Sequence, residues 1–125
     1  MRLLLDTHIF IWVLDDDPKL SDVAWSKIEK AEVVYVSSAS LWEATIKYQL
    51  GKLHINPEKL VDAVADSGFL ELPVTFQHVM AVRHLPALHR DPFDRLLVAQ
   101  AISEPLNLLT SDSILRQYSA LVQLG

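Results

Sequence analysis

Short apolar runs of strand length recur along this chain, each followed by a segment carrying helical signals, and that alternation constrains the fold more than any other feature. RLLLD (2–6), VVYVS (33–37), FLELPV (69–74), NLLTSD (107–112) and the terminal LVQL read as strands. THIFIWVLDD follows the first of them without a turn and reads as a helix, and Asp17, Pro18 and Ser21 then punctuate the chain before a second helix around Trp25 and Ile28. Ser38 and Ser40 lead into SLWEATIKYQLG, a helix ended by Gly51 in the role of a left-handed C-cap. NPEKLVDAVADSG opens with Asn and Pro and closes with Gly68, Thr75 can cap a helix running to about His84, and Pro86 ends it. A long helix from Pro92 is apolar nearly all round and therefore central, Pro105 stops it, and a short helix covers Ser113 to about Tyr118. Strands alternating with helices predict an α/β protein whose central, mainly parallel sheet is covered on both faces. Sheets of this kind bind ligands beyond the carboxyl ends of their strands.

The 125 residues suit one domain, residues 1–125, large enough to bury a core without staples. The absence of cysteine removes disulfides, thiolate metal sites and cysteine nucleophiles, and suits a reducing cytoplasm. The opening leucines are interrupted by Asp6 and no stretch approaches a membrane span, so the expectation is a cytoplasmic protein without membrane contact. A formal charge of −5, from 16 acids and 11 bases, argues against a general electrostatic nucleic-acid binder. It does not argue against a nuclease, because acids gathered around a divalent ion leave the local field to the ion.

Four acids fall where one edge of such a sheet would gather them. Asp6 ends the first strand, Asp112 lies just past the LLT strand, Glu43 sits a helical turn beyond Ser40, and Asp94 lies in the first turn of the central helix. Each also has a structural explanation. Asp6 and Asp112 are placed to cap the helices after them, Ser40 with Glu43 spells a capping box, and in HRDPFDR (89–95) Asp91 reads as the N-cap, Pro92 as the first helical residue and Asp94 as an acid reaching back to the cap. Taken together the four acids point elsewhere, since like charges crowded at one edge repel unless a cation neutralises them. Hard oxygen ligands suit Mg²⁺ or Mn²⁺, and the matching chemistry is metal-assisted phosphodiester hydrolysis.

LLLDTHIFIWVL, SSASLWEATIKYQLGKL, LPALHRDPFDRLLVAQA and LLTSD, in this order and spacing, closely resemble the PIN-domain toxins of bacterial VapBC toxin–antitoxin systems. The resemblance spans essentially the whole chain. It implies a three-layer α/β/α fold with a central parallel sheet, Mg²⁺- or Mn²⁺-dependent endoribonuclease activity, frequent homodimerisation and inhibition by a cognate VapB-type antitoxin. It matches the metal-binding acids to Asp6, Glu43, Asp94 and Asp112, and matches Thr110 to a polar residue supporting the metal shell. Asp91 keeps the scaffold role, with outer-shell hydrogen bonds as its contribution to the site and direct metal ligation as the alternative reading. Operator DNA would be bound through the antitoxin, since this chain is acidic.

Arg90, Arg95 and Lys47, with Lys52 beyond it, are candidate phosphate contacts, and salt bridges to the same acids explain them equally well. His8 points elsewhere on its helix, and His54, His78, His84 and His89 have no metal spacing with one another and receive no assignment. Trp12, Trp25 and Trp42 read as core or interface residues, with base stacking as the other use of an aromatic. A kinase reading of HRD fails because Leu96 stands where that loop needs asparagine, and a haloacid-dehalogenase-like reading of strand-DxT fails because His8 stands where a second Asp is required. The remaining alternative is a non-catalytic module whose acidic pocket receives a basic segment of its antitoxin or another protein partner.

Overall fold

The computed structural model describes residues 1–125. Its elements are β1 (Arg2–Leu5), α1 (Thr7–Leu14), α2 (Asp22–Lys30), β2 (Val33–Ser37), α3 (Ser38–Gln49), α4 (Pro57–Asp66), β3 (Leu70–Leu72), α5 (Phe76–Val82), α6 (Pro92–Ser103), β4 (Asn107–Thr110), a 3₁₀ turn (Ser113–Gln117) and β5 (Val122–Leu124). The five strands form one sheet in the order β3-β2-β1-β4-β5 with every pairing parallel. β1 is central, and Leu3 registers with Val34 on one side and Asn107 on the other. The chain winds outward from β1 through β2 to β3, returns across β1 through α6, and winds out again through β4 to β5. The reversal falls between β1 and β4, where a parallel sheet opens a crevice at its carboxyl edge.

The leucines of RLLLD show why this strand lies at the centre. Successive side chains of a strand point to opposite faces. Leu3 and Leu5 accordingly join Ile9, Phe10, Ala24, Ile28, Ala44 and Leu60 in the core beneath α1 to α4. Leu4 joins Leu97, Val98, Ala101, Leu108 and Leu115 in a second core beneath α6. All three leucines are fully buried, as the uninterrupted apolar run requires of a strand covered on both faces. The layers are therefore α/β/α, as expected.

Local boundaries shift for identifiable reasons. α3 begins at Ser38, with Ser37 as the cap whose Oγ accepts from the Ala39 N–H at 3.0 Å, a turn earlier than SLWE suggests. β3 keeps only Leu70–Leu72, because Pro73 has no N–H and Val74 N–H donates to Ser38 Oγ at 3.1 Å instead of to a strand. α5 stops at Val82, and the expected extension to His84 is made of tighter turns, in which His84 and Leu85 N–H bond the carbonyls of Ala81 and Val82. Gly51 and Gly68 have φ of +73° and +74°, so both helix exits use the left-handed conformation that favours glycine. No helix is long and apolar enough to cross a membrane.

Candidate metal centre at the sheet's carboxyl edge

Asp6 leaves β1 with its N–H still on the ladder, donating to Leu109 O at 2.9 Å, while its carbonyl accepts the first bond of α1 from Phe10 N–H. Its backbone is that of an N-cap, but its side chain makes no capping bond, contrary to the capping reading. The carboxylate turns to β4 instead, where Thr110 Oγ1 donates to Oδ2 at 2.5 Å. The other oxygen, Oδ1, is buried without any partner. Burial raises the pKa of Asp6 above its ordinary value, the Thr110 bond and His8 oppose the rise, and the charge of Glu43 adds to it.

Glu43 is likewise released from the helix-start role. Because Ser37 is the cap, Ser40 lies inside α3, where its Oγ accepts a hydrogen bond from Thr7 Oγ1 at 2.9 Å, and the Ser40–Glu43 capping box does not form. Glu43 is buried, with Oε2 3.3 Å from Lys47 Nζ one turn on and Oε1 unpartnered.

In HRDPFDR the two acids divide the work. Asp91 is the N-cap of α6, its Oδ1 accepting from Phe93 N–H at 2.8 Å and Asp94 N–H at 3.1 Å, with Pro92 at the first position. Asp94 does not reach back to the cap. The Asp91 N–H donates instead to His89 Nδ1 at 3.0 Å, which leaves the Asp94 carboxylate to the carboxyl edge of the sheet. The pKa of Asp94 is pushed up to about 7, first by burial and then by the charges of Asp6, Asp91 and Glu43, with His89 opposing. Those causes also locate Asp94 within electrostatic reach of both orphaned acids.

Asp112 does act as a cap, its Oδ1 accepting from Ile114 N–H at 3.0 Å at the start of the 3₁₀ turn. Its Oδ2 lies 3.0 Å from His89 Nε2, and the same nitrogen is 3.5 Å from Asp94 Oδ2. One ligand atom from each of His89, Asp94 and Asp112 falls within 4.8 Å of the others, whereas Asp6 and Glu43 stand outside that tight group. Thr110 links the two halves, because the hydroxyl that donates to Asp6 also accepts from Asp112 N–H at 3.1 Å.

His89 is the site residue to which sequence spacing gives no role. Its Nδ1 is occupied as an acceptor, which assigns the ring proton to Nε2, so the imidazole donates to Asp112 and is not a free metal ligand. Its position depends on a loop: His89 N–H donates to Tyr118 Oη at 2.8 Å, and Arg95 braces the same turn through Pro86 O at 3.0 Å and Tyr118 Oη at 3.2 Å. Histidine-to-histidine spacing cannot reveal it. The usable signal is a histidine two residues before the cap, close enough for the cap's own N–H to lock the ring.

The salt-bridge reading holds for Lys47 and not for Arg95. Arg95 is engaged by carbonyls and the tyrosine hydroxyl, so the salt-bridge reading fails for it, and Lys47 is shared between Glu43 and His8 Nε2, the latter at 3.3 Å. Arg90 and Lys52 are exposed. His8 is exposed beside Trp12.

A parallel α/β domain with buried, repelling and partly unpartnered carboxylates at its switch point defines a class of acid-centred site that accepts divalent cations through oxygen. The two orphaned oxygens of Asp6 and Glu43 fit such an ion, since each is a buried acceptor with nothing to accept from. The chain belongs to the PIN domain family, whose model matches residues 3–121. PIN domains are generally nucleases, and PIN nucleases generally use divalent metals. No curated protein matches the sequence significantly. Among solved structures, the chain resembles VapBC2 from Rickettsia felis bound to a promoter DNA fragment, with TM-score 0.72 and 17% identity over 100% of this chain and 98% of that one. It also resembles DNA-bound VapBC from Salmonella typhimurium, with TM-score 0.70 and 18% identity over 100% of this chain and 97% of the other. VapBC-1 from nontypeable Haemophilus influenzae matches with TM-score 0.66 and 19% identity over the same shares, 100% and 97%. At these identities the likeness is one of fold.

Proposed function

We propose that this chain, acting as one domain in the cytoplasm, is the toxin of a type II toxin–antitoxin pair and a Mg²⁺- or Mn²⁺-dependent endoribonuclease. The observation that carries the reading is a set of acids with no structural role to occupy them. Asp6 and Glu43 each keep a buried, unpartnered oxygen, and Asp94 lies within reach of their charge, with its pKa raised to about 7. Asp6, Glu43, Asp94 and Asp112 would hold the ion. When bound, such an ion lowers the pKa of a water and neutralises charge on the scissile phosphate. The chain's own contribution is orientation. Thr110 fixes the Asp6 carboxylate, the His89 ring N–H fixes Asp112, and Asp91 takes the cap so that Asp94 is free for the site.

The partner in this reading is a VapB-type antitoxin, as in the VapBC assemblies that share the fold. Operator DNA is contacted through the antitoxin, in keeping with the net charge of −5. A homodimer is supported by α5, which exposes Phe76, Val79 and Met80 at helical spacing, an apolar face suited to a second copy. The test is cleavage of single-stranded RNA by the purified chain. Activity is expected with Mg²⁺ or Mn²⁺, lost on chelation, restored by readdition, and lost in Asp94→Asn with the fold intact. Cleavage that survives both chelation and Asp94→Asn contradicts the mechanism, and a wild-type chain that binds its antitoxin but never cuts RNA returns the acidic pocket to a purely binding role.

A further inference from the structure

Two aromatic residues stand next in sequence to two of the acids. Trp42 precedes Glu43 on α3, and Phe93 precedes Asp94 on α6. Their rings meet edge to face, with centroids 5.1 Å apart and planes at 72°, so the pair bridges the two helices beside the acidic edge. Neither ring belongs to either apolar core, whereas Trp12 and Trp25 both pack on one. Phe93 is half-buried and Trp42 is 62% exposed, so the indole stays open to solvent while it leans on Phe93.

Charge supplies an independent constraint. The chain carries −5, and of the bases near the site Lys47 is engaged by Glu43 and His8 and Arg95 by carbonyls. Exposed Arg90 and Lys52 are the bases left to meet phosphates at this edge, and RNA affinity gains from a contact that does not depend on cationic side chains. Stacking of an unpaired base on an exposed aromatic surface is such a contact, and it tolerates any base because every base has a π face.

We propose that Trp42, braced by Phe93, is a nucleobase-stacking subsite that seats an unpaired base of single-stranded RNA beside the phosphodiester to be cut. The proposal rests on the ribonuclease reading above. It makes the substrate single-stranded, because the bases of a duplex are already stacked on one another and cannot be splayed onto the indole. It also makes RNA binding shallow in its salt dependence, unlike that of a basic groove.

The experiment uses the full chain with Trp12→Phe and Trp25→Phe, leaving Trp42 as the fluorescent reporter, and a short single-stranded RNA of mixed sequence with its duplex as probes. The single strand should quench Trp42 saturably and the duplex should not. In the otherwise wild-type chain, Trp42→Ala should raise the KM for RNA cleavage roughly tenfold or more with little change in kcat, and Trp42→Phe should recover most of that loss. Wild-type KM in Trp42→Ala overturns the stacking subsite and leaves the ribonuclease reading standing. Equal quenching by single strand and duplex overturns it too, as does a Trp42→Ala protein altered only in self-association or in affinity for a protein partner. A wild-type chain that neither binds nor cuts RNA overturns both readings.

Discussion

Asp94 has a carboxyl that holds its proton to about pH 7 because it is partly buried and faces the charges of other acids. An unfolded chain gives that proton up near the ordinary value of 3.8, so between the two values the folded state binds the extra proton. The contribution is therefore most favourable below the unfolded value and is lost as pH rises through about 7, which predicts that metal-free stability falls over that window. Asp94→Asn should remove this pH dependence and stabilise the metal-free protein at pH 8 by a few kcal/mol at most, on the order of 1.4 kcal/mol for each tenfold difference in proton affinity that the substitution abolishes. Urea unfolding at pH 5 and pH 8 measures it, and the same pH dependence in wild type and variant contradicts it. Cation binding must displace the same proton, so the rise in Tm on adding Mn²⁺ should be larger at pH 8 than at pH 6. His89→Ala removes the donor to Asp112 and should weaken Mn²⁺ affinity roughly 10- to 100-fold, the usual cost of losing an outer-shell partner; unchanged affinity would reduce His89 to a loop anchor. At this scale the sequence identifies the acids as candidates but cannot assign their roles. Capping explains all of them on paper, and only the packing separates Asp91 and Asp112, which cap, from Asp6, Glu43 and Asp94, which do not.

The helix starts of α2, α4 and α6 are legible because Ser21, Asn56 and Asp91 carry their caps in their own side chains, and Pro57 and Pro92 sit where a missing N–H costs nothing. The start of α3 is ambiguous because SSAS offers three serines, and the choice among them is made by tertiary bonds, Ser38 to Val74 and Ser40 to Thr7. The end of β3 is hidden for a related reason: FLELPV is continuous in hydrophobicity, but an edge strand ends where Pro73 removes a donor. The division of labour at α6 is directly testable. Asp91→Ala should cost about 1 kcal/mol of stability through the lost cap and leave residual cleavage proportionate to folded protein. Asp94→Asn should do the reverse, keeping the fold and losing the activity. Thermal melts run beside cleavage assays decide between them, and loss of cleavage in fully folded Asp91→Ala would place Asp91 in the metal shell after all.

Over the whole molecule, alternation of strands and helices is enough to predict a parallel sheet, and the continuous apolar run of RLLLD is enough to bury β1 on both faces. Strand order is not legible. Nothing local in the sequence says that the chain turns back across β1 after β3, yet that reversal places the exits of β1 and β4 side by side and brings Asp6 to Thr110 across 104 residues of chain. The link from Asp6 through Thr110 to Asp112 is thus a consequence of topology as much as of composition, and the proposed chemistry requires Asp6, Glu43, Asp94 and Asp112 to act as one cation site. The decisive experiment is calorimetric titration of Mn²⁺ into the metal-free chain and into Asp94→Asn, at pH 8 with circular dichroism confirming both folds. Saturable binding by the wild type is expected, together with binding weakened beyond detection in the variant. Indistinguishable titrations, or no binding by the folded wild type, would contradict a shared cation site.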